Sequence, residues 1–96
     1  MGLMTAPCHP GEILKYEFLE PLGVSAIGLA KAIGVPRTRI ERLVKEQTAV
    51  TPDTALRLSK ALGTTPEFWI NLQANFDMAS ARKTIDVSNI EPLVAA

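Results

Sequence analysis

Apolar residues recur at helical spacing in five stretches of the chain, each opened and closed by a local signal. His9-Pro10-Gly11 starts the first, because proline suits a first helical turn, and the helix is predicted over about Gly11 to Glu20. Ile13, Leu14, Glu17 and Phe18 form its inner stripe against Lys15, Glu12 and Glu20, and Pro21-Leu22-Gly23 ends it. Ser25 is placed to cap a second, short helix carrying Ile27, Leu29, Ala30 and Ile33 as far as Gly34. Pro36 then opens a third, in which Ile40, Leu43 and Val44 lie opposite Arg37, Thr38, Glu41, Arg42 and Lys45.

Thr51-Pro52-Asp53 and Thr65-Pro66-Glu67 repeat one start signal: a threonine cap, a proline in the first turn and an acid facing the positive helix end. The fourth helix is expected to bury Ala55, Leu56, Leu58, Ser59 and Leu62 before Gly63, and the fifth to run from Pro66 to about Arg82 or Lys83. From Thr84 to Ser88 apolar and polar residues alternate, and Pro92 follows. This tail is either a strand that pairs only with a partner chain or a segment lying over the bundle. The organisation is therefore an N-terminal arm over 1–8, a helical domain over 9–83 and a tail over 84–96.

Composition narrows the class to all-α. The 96 residues suit one domain, 47% of them are apolar and only 5% aromatic, so the core is aliphatic and sandwiches or barrels are disfavoured. Ten basic and ten acidic residues cancel, yet unevenly. Residues 1–24 hold one cation against three acids, 25–62 seven against three, and 63–96 two against four. A polyanion would dock on the middle third. Cys8 is a single cysteine beside a single histidine, His9, which excludes an internal disulfide and falls short of a zinc site. With no leader pattern and no long apolar run, the cytoplasm is the expected compartment and no membrane contact is expected.

The pair of helices over about 25–45 meets the steric demands of a helix-turn-helix. Ala30 is small where the axes cross, Gly34 permits a sharp left-handed turn, and Ile40 and Leu43 point back into the wedge. The outward positions then follow from the helical period: Arg37, Thr38, Glu41, Arg42 and Lys45, with Arg39 to one side. Such a helix fits a B-DNA major groove, where arginine can bind guanine O6 and N7 in pairs. Arg37 and Arg42 are the expected base readers, and Ser25 with the free amides behind it is placed for a phosphate. The competing account is a solvated basic face, partly offset by Glu41 and Glu46.

Four ordered motifs, His9-Pro10-Gly11-Glu12-Ile13-Leu14, Phe18-Leu19-Glu20-Pro21-Leu22-Gly23, Thr54-Ala55-Leu56-Arg57-Leu58 and Pro66-Glu67-Phe68-Trp69-Ile70-Asn71-Leu72-Gln73, carry a resemblance. Over about residues 9–82 the chain resembles the HigA-type (VapI-type) antitoxins, helix-turn-helix proteins similar to phage repressors. The resemblance implies a five-helix, lambda-repressor-like domain of the XRE class with a short C-terminal extension. It implies a homodimer that neutralises a HigB-type messenger-RNA endonuclease and represses its own operon at a palindromic operator. The family's DNA-facing positions fall on Ser25, Arg37, Thr38, Arg39, Arg42 and Lys45. Ala26 and Thr38 stand where glutamine is frequent, and Lys45-Glu46-Gln47 replaces a common Asn-Gly-Lys turn, which removes potential contacts and implies a weak or unusual operator.

The fifth helix carries Phe68, Trp69, Ile70, Leu72, Phe76, Met78 and Ala79, more apolar circumference than one core stripe needs. A two-fold dimer contact through Trp69, Leu72 and Phe76, extended by Ile85 and Val87 of the tail, would use the surplus, since a palindrome needs two reading helices ~34 Å apart. A helix apolar on two sides because it packs between others is the competing account, and for Trp69 alone the better one. No catalytic residues, metal or cofactor are expected: Cys8 and His9 lack an orienting third group and a pocket, and no phosphate loop or His-x-x-x-His pair is present. Two other functions share the pattern, a stand-alone repressor without a toxin and an interaction module with weak DNA binding.

Overall fold

The computed structural model describes residues 7–94, in which all regular structure is helical. The predicted arm over 1–8 lies mostly outside the described residues. His9 itself is buried: its Nδ1 accepts a hydrogen bond from the Gly11 amide at 2.9 Å, capping the first helix, and its ring meets Phe76 edge-on at 4.9 Å. The lone histidine is therefore a structural cap.

The first helix, α1, is continuous over residues 10–22. It is α-helical over Pro10–Ile13, π-helical over Leu14–Leu19 and α-helical again over Glu20–Leu22. It does not stop before Pro21, as the sequence suggests. Proline lacks an N–H and its ring presses on the carbonyl four residues back. The π turn just ahead of it, with the Glu20 amide bonded to the Lys15 carbonyl, widens the helix where that clash would fall. Glu17, expected in the inner stripe, is exposed, and Leu14 and Leu19 take the core positions with Ile13 and Phe18 packed against them.

Four further helices follow: α2 Ala26–Ile33, α3 Arg37–Val44, α4 Pro52–Leu62 and α5 Pro66–Thr84. Side-chain oxygens of Ser25, Thr51 and Thr65 cap α2, α4 and α5, whereas Pro36 stands just outside α3 in extended conformation rather than in its first turn. The core joins Leu14, Leu19, Leu29, Ala30, Ile33, Ile40, Leu43, Val50, Ala55, Leu58 and Trp69. Two apolar residues expected inside lie out of it: Ile27 is 49% and Leu56 61% exposed. Leu56 is one residue past the buried Ala55, and that single step turns it ~100° out of the α4 stripe.

Gln73 and Trp69 fasten α5 through side-chain hydrogen bonds. Gln73 is buried, its Oε1 accepting from the Val50 amide at 2.8 Å while its Nε2 donates to Asp77 at 2.9 Å. Trp69 is 0% exposed and donates its indole N–H to Thr64 at 2.7 Å. This corrects the assignment of Trp69 to a dimer contact: its surface is spent inside its own protomer. Beyond α5, residues 85–94 form neither helix nor strand. Ile85 and Val87 line a shallow pocket with Met78, Ala81 and Arg82, and a turn follows in which the Ile90 amide bonds the Val87 carbonyl at 3.0 Å.

Candidate nucleic-acid interface

The corner between α2 and α3 is built by backbone hydrogen bonds. The Val35 amide reaches back to the Ala30 carbonyl at 3.0 Å and the Gly34 amide to Lys31 at 3.3 Å, the paired closure of a Schellman motif. Gly34 sits at φ 75°, a conformation that costs a residue with a Cβ about 1–2 kcal/mol. Below the corner Ala30, Ile40 and Leu43 are almost completely buried, and this fixes the rotation of α3 about its axis.

With that rotation set, Arg37, Thr38, Arg39, Arg42 and Lys45 are all exposed, as is Ser25 at the start of α2. Ser25 Oγ accepts from the Gly28 amide at 2.9 Å. The hydroxyl is thus engaged as a cap, and the remaining first-turn amides are the groups free to meet a phosphate. Thr38, Arg39 and Arg42 lie along one open groove of about 630 Å³, whose far wall is Thr48, Ala49 and the first turns of α4. Arg37 and Lys45, at opposite ends of α3, do not line it.

Arg39 differs from its neighbours. Its guanidinium is hydrogen-bonded to Asp53 of α4, and Arg57 Nε approaches the same carboxylate at 3.2 Å. These two arginines, Arg39 first, hold the Asp53 carboxyl below its ordinary pKa. Arg57 also donates Nη1 to the Ile33 carbonyl at 2.8 Å, satisfying a carbonyl that the end of α2 would leave free. Reasoning from the sequence missed this network. The four-residue spacing of Asp53 and Arg57 was a legible signal for one of its links.

The turn after α3 repeats the Schellman closure, with the Gln47 amide on the Arg42 carbonyl and the Glu46 amide on the Leu43 carbonyl, both at 2.9 Å. Its left-handed position holds Glu46, at φ 63°, where a glycine would be relaxed.

The helix-turn-helix family model matches residues 15–69, which span the corner, α3, α4 and the start of α5. The chain belongs to the helix-turn-helix family. Its likeness to antitoxins within that family is close. It is 45% identical over 82 residues to virulence-associated protein I of Dichelobacter nodosus, covering 85% of this chain and 76% of that protein. It is 43% identical over 76 residues to antitoxin HigA-1 of Vibrio cholerae, covering 79% and 71%. Among solved structures it superposes on antitoxin GraA in complex with its operator with a TM-score of 0.87 at 42% identity, covering 99% of both chains.

The resemblance to HigA-type antitoxins is thus a family relationship, and the fold is the all-α, five-helix, lambda-repressor-like one. The helix-turn-helix family is one of DNA-binding regulators, not of enzymes. Among the described residues no three potential metal ligands cluster, and no helix is long and apolar enough to cross a membrane.

Proposed function

We propose that this chain is the antitoxin of a toxin–antitoxin pair, which acts in the cytoplasm, represses its own operon by binding operator DNA through α3, and neutralises a HigB-type messenger-RNA endonuclease. The observation that carries the DNA half is the exposure of Arg37, Thr38, Arg42 and Lys45 on a helix whose opposite side is locked by Ile40 and Leu43. In the antitoxin GraA the same fold is found on an operator. Arg37 and Arg42 read bases, and Ser25 with the α2 amides and Lys45 holds phosphates. The toxin half rests on kinship with HigA-type antitoxins, HigA-1 among them.

Anisotropy titration of a duplex from the chain's own upstream region tests the first half. Arg42→Ala and Arg37→Ala are each expected to cost about 1–3 kcal/mol and relax sequence preference, whereas Lys45→Ala weakens all sequences alike. Unchanged binding by the double Arg37, Arg42 variant overturns the assignment of α3. Co-expression with the nuclease of the neighbouring gene tests the second half: rescue of growth is expected, and its absence leaves a stand-alone repressor.

The reading protein is a homodimer in this proposal, since a palindrome presents its two half-sites to two copies of α3. Ile85 and Val87, 62% and 60% exposed, and the half-buried Leu72 are the surfaces left for that contact. Phe76 is half-buried against His9, so changing it would also disturb the cap of α1. Replacing Ile85 and Val87 together by aspartate should yield monomers in sedimentation, and an unaltered dimer rejects the tail as the contact.

A further inference from the structure

Asp53 is the one acidic side chain lining the groove that contains Thr38, Arg39 and Arg42. It stands in the first turn of α4 and engages Arg39 from the flank of α3 and Arg57 from its own helix. Arg57 in turn holds the Ile33 carbonyl, so one relay ties the end of α2, the start of α4 and the side of α3. The side chains of the Arg39–Asp53 and Arg57–Asp53 pairs are 41–52% exposed. Ion pairs this wet contribute little to stability. What the relay does fix is the direction in which Arg39 extends.

That direction matters because of where Arg39 stands. Three residues from Arg42 on the same helix, it is rotated only ~60° from it, and a free arginine there would sweep the duplex that Arg42 meets. Non-specific binding is supplied almost entirely by cations meeting phosphates and releasing counterions. A cation held sideways by a carboxylate is withdrawn from that pool, and the carboxylate itself repels the backbone. Sequence-reading contacts from Arg42 and Arg37 are left untouched, so restraining Arg39 lowers the affinity for arbitrary duplex more than for the operator.

We propose that Asp53 is a specificity-determining residue of DNA recognition, acting as a positioning residue that holds Arg39 against α4 and out of indiscriminate phosphate contact. This rests on the reading of α3 as the DNA-facing helix. It assigns to α4 a part in discrimination that no base contact would reveal.

The test is a salt titration of the full chain, with Asp53→Asn and the double variant Asp53→Asn, Arg39→Ala, on the upstream duplex and on a shuffled duplex of equal length. Asp53→Asn is expected to tighten binding to the shuffled duplex by about three- to tenfold and to steepen its log–log salt slope by about one. The upstream duplex should gain less, so that the ratio between them falls. Adding Arg39→Ala should return the shuffled affinity and slope to wild-type values or below, and Asp53→Glu, which keeps the charge, should preserve the wild-type ratio. Thermal melting of each variant confirms that it is folded.

If Asp53→Asn leaves both affinities and the slope unchanged, or weakens both duplexes equally, Asp53 only buttresses the fold and the proposal is overturned while the reading of α3 stands. If the wild-type chain binds neither duplex with salt dependence, or ignores the loss of Arg37 and Arg42, the reading of α3 fails and takes this proposal with it.

Discussion

Gly11 of α1 lies so close to the carbonyl of Leu43 in α3 that a side-chain carbon on Gly11 would sit 1.8 Å from the oxygen and 2.8 Å from the carbon. Backbone meets backbone here, and neither can swing aside as a long side chain would. The same carbonyl accepts the Glu46 amide that closes α3. The contact therefore sets both how α1 leans on α3 and how α3 ends. Gly11→Ala should force the two helices apart at a cost of about 1–3 kcal/mol, typical of overpacking a tight site. Chemical denaturation monitored by Trp69 fluorescence will measure it, and unchanged stability would contradict the packing described.

Glu46 offers the opposite opportunity. A left-handed residue with a Cβ carries a strain of about 1–2 kcal/mol, part of which glycine would return through its greater freedom in the unfolded chain. Glu46→Gly should raise stability by a net ~0.5–1 kcal/mol, a rise in Tm of roughly 2–8 °C for a domain of this size. Because the change also deletes an anion beside Lys45, affinity for upstream and shuffled duplexes should rise together. A lower Tm would mean that the Glu46 side chain contributes more than its backbone costs.

Gln73 is a polar residue inside an apolar core, and its value lies in the Val50 amide that it satisfies. Gln73→Leu keeps the bulk and removes the acceptor, leaving a buried N–H without a partner. The expected loss is about 1–3 kcal/mol in urea denaturation. Amide exchange at Val50 should also accelerate, which separates a lost hydrogen bond from general loosening.

The acid limb of stability should carry a small signature of Asp53, small because its ion pairs are half exposed to water. Its carboxyl is held below the ordinary value by the Arg39 hydrogen bond and then by Arg57, the two charged groups that face it. A group whose pKa is depressed on folding stabilises the protein at pH values above its unfolded pKa, about 3.9, and loses that contribution as pH falls through the folded value. The difference in stability between the wild type and Asp53→Asn should therefore be constant above about pH 5 and shrink below about pH 4. A difference that instead grows on acidification would show that the carboxylate is unfavourable in the folded chain.

Much of the fold was legible because its signals are short-range. Ser25, Thr51 and Thr65 cap helices within three residues of themselves, and Gly34 turns the chain through its own φ. The helical period and the small side chain of Ala30 mark Ala30, Ile40 and Leu43 as inward, and the exposed cations of α3 follow from them. The departures from these signals have two causes, one within a helix and one between helices. Leu56 and Ile27 looked like core residues and are exposed, because the single apolar face of each helix was already filled by its neighbours in sequence. Of the two accounts the sequence leaves for Trp69, core packing and a dimer contact, the fold selects the first, because α1 supplies Phe18 to pack on it at 5.4 Å between ring centroids.

The amino-acid sequence by itself determined that there are five helices, where each lies to within a few residues, the main apolar stripe of each, and that one short helix turns its cations outward; these depend on hydrogen bonds and sterics a few residues long. Only the tertiary structure decided that Arg39 is engaged by Asp53 across 14 residues, that Arg57 caps the Ile33 carbonyl across 24, and that Gln73 answers the Val50 amide across 23. Such pairings depend on the angle and distance at which separate helices pack, and side-chain identity along the chain does not encode that distance locally.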